Sequence, residues 1–383
     1  MKIVIAPQSF KGSVMALTAA EAIERGVRRA SPEAETVLVP VADGGDGTLE
    51  VLVNSTGGKI FRSIVTGPLG HAVEALWGVM GDGSTAVIEM ARASGLAMVP
   101  HRRRNPRTTT TFGTGEIIRE ALERGYERIV VGMGGSATND AGMGMATALG
   151  ARFLDDQGKP LPKGGSALAR LNKIDITNLH SRLREVTIIG ATDVTNPLCG
   201  SSGASAIYGP QKGATQEIVE ELDAALANFA RVAQSDLGID FLNEAHPGAG
   251  AAGGLGAGLM AFANCRLQSG IDLVCEVLKF EEHVREADLV LTGEGRADLS
   301  SIYDKAPVGV ARKAAPYGVP TVILAGSLGE GYEQLYQHGI AGVVCIADRP
   351  MNFERSLART EELLEGAAER TVRLLQLAGP TGR

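Results

Sequence analysis

Short loops that combine glycine with charged residues recur in this sequence, and each follows an apolar run typical of a buried strand. They are Ser9-Phe10-Lys11-Gly12, the DGGDGT loop at 43–48, the GEGR loop at 293–296 with Asp298, and Gly326-Ser327. Glycine lets backbone N–H groups approach an anion, Lys and Arg neutralise its charge, and carboxylates bind Mg²⁺. The loops therefore indicate phosphate and metal chemistry.

The middle of the chain carries a matching set. A glycine loop follows the strand-like run ERIVVG and precedes a Gly/Ala/Met-rich helix, and it contains Gly134, Gly135, Ser136 and Asn139. Asp193 follows a second strand-like run, VTIIGAT. N–H groups at a helix start attract anions, so we expect the glycine loop to hold nucleotide phosphates.

Each of these features also has a purely structural interpretation. An isolated GGDGT is more often a turn, and Asp43, Asp46 and Asp140 are residue types that cap helices. Lys11 and Arg296 are single charges of the kind that most proteins expose to solvent. What favours a functional interpretation is that several such loops follow predicted strands, because ligands of parallel sheets bind at the carboxyl ends of the strands.

The elements that must position these loops form an α/β pattern. Strand-like runs lie at 3–6, 36–41, 287–293, 319–326 and 340–346, with helical stretches between them and a long helix from about residue 353. Thr18 and Glu21 match a capping box for the first helix, which carries Ala20, Ile23 and Val27 on one face. Two N-terminal and three C-terminal apolar strands predict one doubly wound, five-stranded parallel sheet.

The two ends of the chain therefore predict a discontinuous outer domain, 1–65 with 275–383, and an inserted α/β domain over 66–274. The insert begins with an antiparallel hairpin around Gly81-Asp82-Gly83 and continues with helices near 115–124 and 215–234. Because both domains carry charged loops, we expect the active site in the cleft between them.

Composition excludes several classes of protein. The formal charge is −7, and only 101–107 is locally basic, so a nucleic-acid surface is not expected. Four cysteines without metal or disulfide spacing, no signal-peptide core and no sufficiently apolar stretch predict a cytoplasmic protein that does not contact membranes. GxxxxGK[ST], HRD with DFG, GxSxG and a GxGxxG first turn are absent, which argues against P-loop enzymes, protein kinases, serine hydrolases and dehydrogenases.

With these loops identified, the sequence resembles the bacterial type I glycerate kinases over essentially its whole length. The shared segments are IAPxSFKG at 5–12, PVADGGDGT at 40–48, TGPLG at 66–70, GMGGSATNDAGMGM at 132–145, ATDVTNPLCG at 191–200, GPQKGA at 209–214, PGAGAAGG at 247–254 and LTGEGR at 291–296. The resemblance implies a flavodoxin-like domain with an inserted α/β domain. It also implies Mg²⁺-dependent transfer of the ATP γ-phosphoryl group to a hydroxyl of D-glycerate, with 2-phosphoglycerate the favoured product.

Phosphoryl transfer requires positioning, charge neutralisation and an acceptor for the hydroxyl proton. We assign Asp193 as the proton acceptor or a Mg²⁺ ligand, Asp43 as a metal or substrate ligand, and Lys11 and Arg296 as catalytic cations. Ser9, Asp46 and Asp298 complete the predicted substrate site. We expect the nucleotide phosphates to be bound by Gly134, Gly135, Ser136 and Asn139.

Three positions depart from the family pattern: Gln8 stands where Asp is expected, Ser300 where Gln is, and Asp304 where Gly is. These departures keep an alternative open, a catalytically weak family member that binds an organic acid or a nucleotide in a regulatory role. The oligomeric state, including a homodimer, is left open.

Overall fold

The computed structural model describes residues 1–243, 245–302 and 305–377. In these residues the strands are β1 Lys2–Pro7, β2 Glu35–Leu38, β3 Lys59–Thr66, β4 Ala72–Val79, β5 Thr85–Glu89, β6 Arg128–Gly132, β7 Arg152–Leu154, β8 Lys173–Asp175, β9 Thr187–Ala191, β10 Arg266–Gln268, β11 Leu289–Glu294, β12 Thr321–Ala325 and β13 Ile340–Cys345.

The α-helices of the described residues range from single turns to six turns. They are α1 Ala16–Ala30, α2 Thr48–Ser55, α3 Ala91–Ser94, α4 Phe112–Glu123, α5 Met143–Ala148, α6 Ala204–Tyr208, α7 Gln216–Leu237, α8 Ala251–Ala263, α9 Gly270–Val277, α10 Phe280–Val284, α11 Ala306–Ala314, α12 Phe353–Ala358 and α13 Thr360–Leu377. None of them is both long enough and apolar enough to span a bilayer.

The described chain divides into two compact units. The first comprises Met1–Asp43, Glu50–Ser55 and the described part of Ile271–Arg383, and the second comprises Gly44–Leu49 and the described part of Thr56–Gly270. Strand β3 belongs to the second unit, whereas the sequence-based boundary at 65 placed most of it in the outer domain. The predicted domains and the cleft between them stay predictions.

The first unit contains a five-stranded, all-parallel sheet in the order β13-β12-β11-β1-β2. Numbered along the chain, its strands run 2-1-3-4-5, which is the flavodoxin-like order. Helices α1 and α13 cover one face, where Ile3, Ile5 and Leu291 pack with Ile23 and Leu364. Helix α11 covers the other face against β12. The predicted doubly wound sheet is confirmed.

The second unit contains a six-stranded mixed sheet in the order β10-β9-β6-β5-β4-β3. Strands β5, β6, β9 and β10 are parallel, and β3 and β4 are antiparallel additions at one edge. Strands β4 and β5 form the hairpin predicted around Gly81-Asp82-Gly83. The core of this sheet includes Trp77, whose indole N–H donates to the Ser63 hydroxyl at 2.9 Å.

Several local predictions were wrong. Helix α1 begins at Ala16, so Thr18 and Glu21 lie inside it, and its first turn has no side-chain cap. Strand β2 ends at Leu38 because Pro40 has no N–H, although Val39 and Val41 still donate to β1. The C-terminal helix is two helices, α12 and α13, which meet at Arg359.

Candidate functional site

The carboxyl ends of the first unit's strands surround a cavity of about 940 Å³. Its lining includes the residue that follows each of four strands: Gln8 after β1, Gly295 after β11, Gly326 after β12 and Ile346 after β13. Asp43, a few residues beyond β2, also lines it. The sheet topology thus brings residues from the predicted functional loops together around one cavity, as expected for a doubly wound domain.

The charges around this cavity favour an anionic ligand. Its described lining has four basic side chains, Lys11, Arg296, Lys305 and Arg349, and two acidic ones, Asp43 and Glu294. Arginine and lysine side chains are the usual partners of carboxylates and phosphates. The cavity can therefore hold a small molecule that carries more than one negative charge.

Glu294, the last residue of β11, is the acidic group that the sequence-based assignment omitted. It is 2% exposed, it bonds to the Ser301 side chain, and its Oε1 atom has no hydrogen-bond partner among the described residues. Burial raises the pKa of its carboxyl to about 7, with Ser301 and Lys305 opposing the shift. The signal in the sequence was a carboxylate at the end of an otherwise uncharged strand.

Arg296 and Asp298 lie close together in the loop that follows β11. The Arg296 guanidinium pairs with Asp298 at 3.0 Å. Ser300, at one of the positions that depart from the family pattern, donates its hydroxyl to Asp298 and accepts from Lys305 Nζ at 2.7 Å. The Ser300 hydrogen bond is the main reason that the pKa of Asp298 is lowered. Asp304 lies outside the described residues.

In the second unit, the DGGDGT loop packs directly on the glycine loop that follows β6. Gly134 N donates to Gly44 O at 3.2 Å. A Cβ atom on Gly134 would lie 2.5 Å from Gly45 Cα, and one on Gly44 would lie 2.6 Å from Ala191 O, so glycine is required at both positions. A Cβ on Gly135 would lie 3.4 Å from Asp46 Oδ1. Asp46 and the predicted phosphate loop are therefore neighbours.

Glu89, at the end of β5, positions the start of helix α2. Its buried carboxylate accepts hydrogen bonds from Gly47 N at 2.8 Å and Leu49 N at 3.0 Å, and it pairs with Arg92 at 2.8 Å. N–H groups at the start of a helix lack intrahelical partners, and a carboxylate there satisfies them. The sequence analysis did not identify Glu89, since its role depends on a contact 40 residues away.

The end of the predicted phosphate loop is deeply buried. Asn139 is 0% exposed and donates to Ser205 Oγ at 3.0 Å, and Ser136 is 7% exposed. The adjacent Asp140 accepts from Gly142 N and Gly144 N, the N–H groups at the start of helix α5. In this loop only Gly135 is exposed and Gly134 is half-buried, so a phosphate would have to approach the loop at Gly135.

Lys212, from the GPQKGA segment, is a second residue that sequence reasoning did not assign. It is 2% exposed, and its Nζ donates to Thr138 O at 2.7 Å. Burial lowers its pKa to about 7, while the charge of Asp140 opposes this shift. Lys212 therefore fixes the glycine loop at the Thr138 carbonyl.

Asp193, just beyond the end of β9, has its side chain fixed by hydrogen bonds. Its Oδ1 accepts from Ser269 Oγ and from Gly270 N, both at 2.8 Å. Gly270 is the first residue of helix α9, so the carboxylate also caps that helix. This geometry holds the carboxylate in one orientation.

The predicted site residues thus lie in two groups. Lys11, Asp43 and Arg296 line the cavity of the first unit. Ser9 and Asp298 are not among the lining residues, but Ser9 is next to the lining residue Gln8 in the sequence and Asp298 pairs with Arg296. The second group, in the other unit, comprises Asp46, Asp193, Gly134, Gly135, Ser136 and Asn139. Within the described ranges, no cluster of three or more His, Cys, Asp or Glu side chains is arranged to hold a metal ion. The roles assigned to these residues stay predictions.

Comparison with known proteins gives a consistent result. A model of the glycerate kinase family matches residues 3–376. A glycerate 2-kinase of Escherichia coli is 48% identical over 373 residues, 97% of this chain and 96% of that protein. A glycerate kinase of Bacillus subtilis is 49% identical over 378 residues, 99% of this chain and 98% of that protein. A crystal structure described as a glycerate kinase 2 from Salmonella typhimurium LT2 superposes with a TM-score of 0.87 at 47% identity, covering 99% of each chain.

Proposed function

The chain belongs to the glycerate kinase family and is an enzyme of that class, and from this premise we propose that it transfers the γ-phosphoryl group of ATP to a hydroxyl of D-glycerate. The favoured product is 2-phosphoglycerate. The observation that carries the proposal is the cavity at the carboxyl edge of the parallel sheet, where four basic side chains surround a space large enough for a small polyanion.

The reaction forms one bond and breaks one. The glycerate hydroxyl oxygen attacks the γ-phosphorus, the bond from that phosphorus to the oxygen it shares with the β-phosphate breaks, and ADP leaves. The hydroxyl proton passes to a carboxylate, for which we propose Asp193. Its Oδ1 is held by Ser269 and Gly270, which fixes the carboxylate in place before substrates bind.

Cationic side chains stabilise the charge that develops on the transferred group. We assign Lys11 and Arg296 to the glycerate carboxylate and the phosphates, together with Ser9, Asp43 and Asp298 around the substrate. The backbone of Gly134, Gly135 and Ser136, with Asn139 behind it, is proposed to hold the nucleotide phosphates. Support comes from Gly135, which is exposed and lies beside Asp46.

Mg²⁺ fits this donor set without a preformed cage. The ion is usually held by one or two carboxylates together with the nucleotide phosphates, so a three-carboxylate cluster is not required. Asp43, Asp46 and Asp193 are the carboxylates that we propose for it. When bound, Mg²⁺ neutralises charge on the β- and γ-phosphates.

A coupled assay of ADP release tests the proposal. With MgATP and D-glycerate together, ADP is released at a rate that depends on both. MgATP alone gives only slow background hydrolysis. The alternative left open by Gln8, a catalytically weak binding protein, predicts a thermal shift with glycerate or ATP but no glycerate-dependent ADP. A cytoplasmic location and a homodimer stay predictions.

A further inference from the structure

Two residues that line the cavity, Gln8 and Glu294, each carry a buried acceptor atom without a partner in the described part of the chain. Gln8 is 8% exposed and Glu294 is 2% exposed, and both line the cavity. Gln8 Oε1 and Glu294 Oε1 have no hydrogen-bond partner among the described residues. A buried acceptor without a donor costs free energy, so two of them on adjacent residues that line one cavity indicate a ligand that supplies hydrogen-bond donors.

The two side chains are neighbours because of sheet register. Strands β1 and β11 are parallel, with Pro7 opposite Gly293, and Gln8 N donates to Gly293 O at 3.0 Å. Gln8 and Glu294 are the next residue on each strand, so they sit side by side at the carboxyl edge. On the other side of Glu294, β12 places Ala325, whose methyl group leaves room beside the carboxyl.

The charged side chains around Gln8 and Glu294 indicate whether the ligand beside them is a cation or a neutral hydrogen-bond donor. Lys11, Arg296 and Lys305 line the same cavity, and they would repel a metal cation that arrived without the nucleotide phosphates. An anion that also carries hydroxyl groups satisfies both sets, because its negative groups meet the basic side chains and its hydroxyls meet the two acceptors. D-Glycerate has one carboxylate and two adjacent hydroxyls.

We propose that Gln8 and Glu294 form a hydroxyl-reading pair that selects the substrate, each accepting a hydrogen bond from one hydroxyl of glycerate. This inference rests on the proposed function for the identity of the ligand. It assigns a specificity role to Gln8, which departs from the family pattern, and to Glu294, which lay outside the predicted site.

The test measures ligand affinity, not turnover. Titration calorimetry of the full chain with MgADP present compares D-glycerate with 3-hydroxypropanoate, which lacks the 2-hydroxyl, and D-lactate, which lacks the 3-hydroxyl. The parent protein is expected to bind each analogue about 10- to 100-fold more weakly than glycerate, since each leaves one buried acceptor unpaired.

Variants then show which of the two side chains, Gln8 or Glu294, binds each hydroxyl of glycerate. Gln8→Leu is expected to bring one analogue to within about 3-fold of glycerate, and Glu294→Met the other, because the unpaired acceptor has been removed. Lys11→Met is the control, which changes binding of all three ligands by the same factor. Circular dichroism and melting temperatures confirm that the variants fold, and Gln8→Asn and Glu294→Gln, which keep an acceptor, are expected to retain part of the discrimination.

The outcomes separate this inference from the kinase proposal. Equal binding of all three ligands by the parent protein, or unchanged analogue ratios in both Gln8→Leu and Glu294→Met, would overturn the hydroxyl-reading pair. A parent protein that discriminates as expected but releases no glycerate-dependent ADP would overturn the kinase proposal and leave the pair standing.

Discussion

At the scale of single residues, the sequence identified the charged groups but not their burial. Lys11, Asp43 and Arg296 were found because glycine-rich loops with charge follow predicted strands. Glu294 lies in one of the same loops, yet its importance comes from its burial and from an Oε1 atom that the described residues leave without a partner, and both depend on the strands and loops around it. A sequence shows residue type and spacing, whereas solvent exposure is a property of the folded chain.

The raised pKa of Glu294 predicts pH-dependent stability. Burial raises it from 4.5 to about 7, so the folded state binds more protons than the unfolded state between these values. Stability contributed by the protonated group is present at low pH and is lost as pH rises through about 7, at a cost of about 3 kcal/mol by pH 8. The charged groups that bear on it are Lys305, Asp298 and Asp43.

Glu294→Gln removes this titration while keeping the shape of the side chain. Its unfolding free energy, measured by urea denaturation, is expected to gain on the parent protein progressively between pH 4.5 and 8. A difference between the two proteins that stays constant over this range would show that Glu294 does not titrate as its burial predicts.

Asp193→Asn tests the proposed proton acceptor. The amide oxygen can still accept from Ser269 and Gly270, so the fold is expected to survive, but the negative charge is lost. We expect kcat to fall by about 10²-fold or more, the typical contribution of a general base. Steady-state kinetics at saturating MgATP and D-glycerate measure it.

Asp155→Asn is the matched control, because Asp155 also holds a turn through two backbone N–H groups, of Gln157 and Lys159. It is expected to keep the parent kcat. If Asp193→Asn does so too, the proton acceptor must be sought elsewhere.

At the scale of secondary-structure elements, the parallel sheet was the most predictable feature. Four of its five strands, all but the edge strand β2, are short and largely apolar runs, and this pattern is typical of strands buried on both faces. Element ends were less predictable, because they depend on particular contacts. Helix α1 starts without the Thr18 cap, and the helix after the glycine loop is only the six-residue α5, where Gly142 and Gly144 meet Asp140.

The close packing of two glycine loops gives a prediction at this scale. In Gly134→Ala, the new methyl group would lie 2.5 Å from Gly45 Cα, so the backbone of one loop must move. Overpacking of this kind typically costs about 1–3 kcal/mol. We expect a lower melting temperature and a higher KM for ATP, since this loop is the proposed phosphate site.

Gly342→Ala provides the control on a strand with space. A Cβ atom there would lie 3.5 Å from the nearest atom of Val322, an ordinary contact. It is expected to change the melting temperature and the KM for ATP much less than Gly134→Ala does. Equal effects of the two substitutions would show that the loop approach is not tight.

At the scale of the whole molecule, fold class and family followed from the sequence, because glycine-rich segments recur along nearly the full chain. The functional roles of individual residues were less predictable from the sequence. One lysine and one glutamate hold the glycine loops through backbone partners that are distant in the sequence. Lys212 bonds to Thr138, and Glu89 bonds to Gly47. Short motifs carry no information about such partners.

The most direct test of the central claim is the proton-coupled ³¹P NMR spectrum of the protein incubated with MgATP and D-glycerate. The proposed function predicts loss of the γ-phosphate signal of ATP and a new phosphomonoester signal split into a doublet by the single proton on C2. A triplet, from the two protons on C3, would contradict the favoured 2-phosphate product. An unchanged ATP spectrum, or inorganic phosphate without any ester signal, would contradict the assignment of the chain's activity to glycerate.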